Sequence, residues 1–169
     1  MRILITTLLL SFTLTSFAAD WPQFRGPNRD GVSTEKGLAE QWPEKGPELL
    51  WKSEGLGGGW SSVAIADKTI YTMGDLEDAC YLFALDLQGK QLWKARVGEP
   101  KGHRGYPGPR STPTVTDNSV YCLGQHGDLV CFSRACPVAE VKAGCTDCHG
   151  QKEKKSTWKV NLENDFGGK

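Results

Sequence analysis

"WSSVAIADKTIYTMG", Trp60 to Gly74, is echoed at a constant offset of 50 by "RSTPTVTDNSVYCLG", Arg110 to Gly124. Under this offset Ser61 meets Ser111, Ile65 meets Val115, Asp67 meets Asp117, Ile70 meets Val120, Tyr71 meets Tyr121 and Gly74 meets Gly124. Each copy reads as a hairpin, with apolar residues alternating along Val63-Ala64-Ile65 and Ile70-Tyr71-Thr72 around a polar Asp-Lys or Asp-Asn turn. A third strand follows in each, "CYLFALD" (Cys80 to Asp86) and "DLVCFSR" (Asp128 to Arg134). In the first copy "QGK" turns the chain into a fourth strand, "QLWKARV" (Gln91 to Val97), and "STWKVNL" (Ser156 to Leu162) plays that part in the second. Four short antiparallel strands recurring at this period are the pattern of a β-propeller blade.

Working outward, blade one spans about 60–97 and blade two about 110–162 of an all-β unit covering 49–169. "LLWK", Leu49 to Lys52, matches "QLWK", Gln91 to Lys94, at an offset of 42 and reads as a stray outer strand. Two blades and a spare strand are fewer than the four or so that close a ring, so the expectation is a partial propeller. Composition agrees with strands and tight turns, since 20 Gly, 9 Pro and 6 Trp accompany few long apolar runs. The 20 basic and 20 acidic residues cancel, which argues against a nucleic-acid or anionic-lipid partner.

Residues 1–18 read as a cleaved signal peptide: Arg2, an apolar run from Ile3 to Leu14, and small residues in Ser16-Phe17-Ala18 before the cut. The run is too short for a membrane span. The mature chain is therefore expected outside the cytoplasm, periplasmic or secreted, and begins with an N-terminal segment at 19–48. There, cysteines serve as disulfides or haem thioethers rather than idle thiols.

"WPQFRGPNRDGVS" after the signal, the Trp-Lys strand ends, "ALDLQGKQLWK" and "YCLGQHGDLVCF" together resemble the pyrroloquinoline-quinone (PQQ)-type β-propeller repeat proteins, in particular exported, planctomycete-type members. The resemblance runs from about Trp21 to Phe132 and resumes at Trp158. It implies a PQQ-type propeller of four-stranded antiparallel blades. It implies no single activity, because relatives include quinoprotein alcohol dehydrogenases and also outer-membrane assembly factors that bind no quinone. The dehydrogenases hold PQQ against a disulfide of adjacent cysteines and a calcium ion. No two of the six cysteines here are adjacent, so PQQ is not expected in this chain. Asp67, Asp117 and Asp128 are read as ordinary hairpin-turn residues, and no catalytic residue is assigned.

The repeat also exposes an insertion. Third strands align at an offset of 47 (Leu85 to Phe132) and fourth strands at 65 (Trp93 to Trp158), which places 18 extra residues between the last two strands of blade two, in a Cys-rich loop at about 133–156. Within it "AGCTDCHGQ" carries Cys145, Cys148 and His149 as C-x-x-C-H. Two thiols at that spacing can add across haem vinyl groups, and the following histidine can ligate the iron. Yet neither Met nor His follows His149, so a sixth ligand would come from Met73, His103 or His126. Four readings stay open: a haem c site on Cys145, Cys148 and His149; a disulfide-bearing loop; zinc on these three with Cys136; or a disrupted or truncated reading frame.

The remaining cysteines have plainer readings. Cys122 and Cys131 on neighbouring strands are either a cross-strand disulfide or small core residues, and Cys80 faces the same choice. Trp51, Trp60, Trp93 and Trp158 are assigned to packing between blades. The sequence thus favours a binding or scaffolding module without chemistry, whose partners are other proteins, further blades or its own copies. The alternatives are a haem c electron carrier and a fragment of a PQQ-dependent alcohol dehydrogenase.

Overall fold

The computed structural model describes residues 19–102, 105–134 and 155–166. The repeat appears as two four-stranded antiparallel sheets. Sheet 1 comprises β1 (Ala64–Ala66), β2 (Thr69–Asp75), β3 (Cys80–Asp86) and β4 (Gln91–Gly98), and sheet 2 comprises β5 (Thr114–Val115), β6 (Ser119–Leu123), β7 (Asp128–Ser133) and β8 (Trp158–Asn161). Both follow chain order without crossovers. The registers reproduce the sequence offsets: Ile70 faces Leu85 as Val120 faces Phe132, and Ala84 faces Trp93 as Cys131 faces Trp158. The extra residues therefore do fall between β7 and β8.

Local chemistry explains the turns. Asp67 and Lys68 between β1 and β2 both hold positive φ, 45° and 61°, the geometry that lets a two-residue loop follow strand twist. A short helix, α1 (Leu162–Phe166), follows β8. Asn161 caps it, its Oδ1 accepting the amides of Glu163 at 3.2 Å and Asn164 at 3.0 Å.

Alternation along the strands builds one shared core. Sheet 1 contributes Tyr71, Met73, Leu82, Ala84, Trp93, Ala95 and Val97, and sheet 2 contributes Val115, Val120, Cys122, Val130 and Phe132. These are opposite faces of the repeat. Tyr121, the equivalent of Tyr71, pairs with Cys131 on the far side of sheet 2, whereas Val120 and Phe132 correspond to Ile70 and Leu85 on the far side of sheet 1. The sheets therefore stack head to tail, back of one on front of the next. Removing side chains of Leu or Phe size from water contributes about 1.5–3 kcal/mol each, so this seam is a main stabilising element.

The far side of sheet 1 is covered within the chain. Leu56 and Leu76 pack on a cluster of Ile70, Ala79, Tyr81, Phe83 and Leu85, and Lys94 lays its ammonium 4.2 Å from the Tyr81 ring centre. The glycine run before Trp60 makes this fit: Gly58 exchanges two backbone hydrogen bonds with Asp75, and a methyl group at Gly74 would run into the Leu56 carbonyl. At the edges of β1 and β5 the N-terminal segment acts as a staple. Trp21 exchanges both backbone bonds with Ile65, at 2.8 Å each, while the Pro22 carbonyl accepts the Val115 amide at 2.7 Å. Two strand edges that would otherwise invite pairing are thereby closed.

Three expectations need correction. Leu49 to Lys52 form no strand; Trp51 instead lays its ring against Gly89 in the β3–β4 turn, and Ser53 donates to the Gly89 carbonyl at 2.9 Å. Asp128 is not a turn residue but the buried first residue of β7, where it accepts the Asn161 side-chain amide at 2.9 Å and pairs with Lys159 at 3.1 Å. Only Trp93 lies between the sheets; Trp60 and Trp158 are exposed.

Candidate functional site

Polar side chains converge where β2 ends, β6 turns into β7, and the 99–113 connection joins the sheets. Gln125 organises this corner. Its Nε2 donates to Asp75 Oδ2 at 2.7 Å, while its Oε1 accepts the amides of Gly102 at 2.8 Å and Gly108 at 3.2 Å. Asp75 Oδ2 also accepts the Lys101 amide at 2.7 Å, and His126 Nε2 sits 3.2 Å from the Pro100 carbonyl. One amide side chain thus ties sheet 1, sheet 2 and the connecting loop together.

On this frame stands an exposed cluster. The Trp60 amide donates to the Pro109 carbonyl at 2.8 Å, holding the indole edge-to-face with Tyr106, ring centres 5.8 Å apart and planes at 74°. Arg110 lies 5.9 Å from the Tyr106 ring centre and donates to its carbonyl at 3.0 Å. Beside it opens a cavity of about 300 Å³ lined by Gly102, Arg110, Ser111, Leu123, Gly124 and Gln125. Ser111 donates its hydroxyl to the Leu123 carbonyl, with the Met73 sulfur 3.6 Å away.

A second polar group is buried nearby. Asp75 Oδ1 is enclosed and has no hydrogen-bond partner among the described residues. Burial pushes the Cys80 thiol well above its ordinary range, and the Asp75 carboxylate adds to the shift. Burial does the same to Cys122, with smaller contributions from Cys80 and Cys131. Such protonated, enclosed thiols are poor nucleophiles. At the opposite ends of the sheets Arg134 pairs with Asp67 and donates to the Thr116 carbonyl at 2.8 Å. Burial pulls the Arg134 guanidinium down, but Asp67 and Tyr71, each through hydrogen bonding and charge, together outweigh it and raise it overall.

The sequence-derived candidates fall as follows. Cys145, Cys148 and His149 lie outside the described residues, as do Cys136 and His103. Of the other proposed sixth ligands, Met73 is enclosed in the shared core, and His126 lies beyond the N-terminal end of β7, whereas the insertion leaves from its C-terminal end, about 20 Å away for a six-residue strand. Cys80, Cys122 and Cys131 are buried free thiols. The register faces Cys122 with Val130 and Cys131 with Tyr121, so the two side chains point to opposite sides of sheet 2 and cannot form the cross-strand disulfide. Among the described residues no group of three or more His, Cys, Asp or Glu could hold a metal ion, and no helix is long and apolar enough to cross a membrane.

The exposed corner was not singled out by the repeat, which assigned Trp60 to packing. The signal was nonetheless present: "KGHRGYPGPR", Lys101 to Arg110, carries Lys101, Arg104 and Arg110 with no acidic residue. No protein-family model and no curated protein sequence matches the chain.

Proposed function

We propose that this is an exported repeat protein of the PQQ-like propeller type that works as a binding and scaffolding module, docking further sheets of its own kind rather than carrying out chemistry. The observation that carries the reading is the head-to-tail stacking of two repeated sheets. In sheet 1 the front face is sealed by sheet 2, leaving Met73 4% and Trp93 6% exposed; their equivalents Leu123 and Trp158 in sheet 2 are 40% and 41% exposed. A heterologous contact of this kind leaves a docking face on sheet 2 until a further sheet or another molecule covers it. Tyr121, Leu129 and Val160 extend that apolar face beside Leu123 and Trp158. A second copy is the partner that can be tested directly. Sedimentation of the mature chain is expected to show concentration-dependent association, and Leu123→Lys with Trp158→Lys to abolish it. A monodisperse wild-type monomer at every concentration would refute the docking role.

A second reading rests on Cys145-Thr146-Asp147-Cys148-His149. A covalently attached haem c would make the chain an electron carrier, with His149 on the iron. Protein matured with the haem-attachment machinery should then give a pyridine haemochrome spectrum that Cys145→Ala/Cys148→Ala loses, and a wild type without haem overturns this reading.

A further inference from the structure

We infer that the corner formed by Trp60, Tyr106 and Arg110 is a binding site for acidic sugar units of a glycan chain, with sugar faces resting on the aromatic rings and a carboxylate on the guanidinium. The inference deepens the binding-module reading and rests on it by naming a ligand class at one site.

Three independent features converge. Trp60 and Tyr106 are 62% and 59% exposed although both are fixed by the loop that Gln125 and Pro109 hold. Large rings kept in water on a braced backbone have apolar surface to offer a ligand. Next, their planes meet at 74°, which makes an open corner rather than a parallel slot. In such a corner a puckered sugar ring can present a C–H face to one wall and an edge to the other. Finally, Arg110 is exposed, spends one donor on the Tyr106 carbonyl, and has no acidic partner among the described residues. Its remaining N–H groups suit a carboxylate, which guanidinium binds through two parallel hydrogen bonds.

The surroundings fit the same ligand. The adjoining cavity of about 300 Å³ is large enough for one ring substituent and offers the Ser111 hydroxyl. Asp75 Oδ2, which the same Gln125 frame holds, is already engaged by the Lys101 backbone amide and the Gln125 side chain. A phosphate backbone would need a longer cationic track, and the chain's 20 basic and 20 acidic residues supply no excess for one.

The test is calorimetric titration of the full mature chain with oligogalacturonate, a neutral cello-oligosaccharide and a single-stranded oligonucleotide. Wild type is expected to bind oligogalacturonate more tightly than the other two. Arg110→Gln should weaken the uronate by about tenfold while leaving the weak neutral binding unchanged, and Trp60→Ala should weaken both. Thermal melts of the two variants should match wild type, because neither residue belongs to the core. No uronate binding, unaltered uronate affinity in Arg110→Gln, or tighter binding of the oligonucleotide overturns the inference. Because Leu123 also lines the adjoining cavity, the titrations are run at a concentration where sedimentation shows no self-association, so failure of the sugar site and failure of the scaffold are distinguishable.

Discussion

Cys80 and Cys122 face each other's sheets across the shared core, and burial keeps both thiols protonated far beyond their ordinary range. The consequence for stability has a definite sign. Above the unfolded thiol value of 9.0 the unfolded chain releases these protons while the folded chain retains them, so the unfolded state binds fewer protons and stability falls as pH rises. The slope is at most about 1.4 kcal/mol per pH unit for each thiol. Tyr71, whose phenol is raised above 10.0 chiefly by burial, adds to the loss at still higher pH. Urea midpoints should therefore drop between pH 8 and pH 10, and the drop should shrink in Cys80→Ala/Cys122→Ala. An equal drop in the double variant would show that other groups control it. Little of this was legible beforehand: the hairpin pattern put Cys122 and Cys131 on adjacent strands, but which side of the sheet each faces depends on a register that a one-residue slip reverses.

At the scale of elements, β7 and β8 are paired by contacts of their own. Val130 faces Lys159, Cys131 faces Trp158, and the Thr157 amide donates to the Cys131 carbonyl at 2.8 Å. Before the insertion Arg134 is anchored by its amide to the Asn118 carbonyl at 2.7 Å and by its guanidinium to Asp67. Deleting Ala135 to Glu153 leaves Lys154 to Thr157 to bridge Arg134 and β8, close to the four-residue link Leu87 to Lys90 of the first repeat. Loop-closure entropy changes only by about 0.6 kcal/mol per halving of length, so sheet 2 should survive. The far-ultraviolet circular dichroism spectrum per residue should keep its β-sheet shape and the melt stay cooperative; loss of the sheet signal would mean that the inserted residues belong to the fold. This boundary was readable from sequence because offsets of 47 and 65 are properties of aligned strands, and strand pairing preserves them.

Over the whole molecule, the head-to-tail seam and the N-terminal staple join the two sheets at separate places. Trp21 and Pro22 bind the edges of β1 and β5, whereas Trp93, Val97, Val120 and Phe132 meet in the seam. The sequence by itself determined the strands, their order, the site of the insertion and the repeat, because alternation of apolar residues and turn chemistry act over a few neighbours. Only the tertiary structure decided which face of each sheet is covered, that Leu56 rather than a strand at Leu49 to Lys52 serves sheet 1, and that Trp60 stands exposed beside Tyr106 and Arg110 while Trp93 is buried. The reason is that Trp93 and Trp158, which match across the repeat, carry the same local signal yet are buried and exposed, because burial depends on whether a neighbouring sheet or loop arrives over them, and that is settled by contacts between residues far apart in the chain.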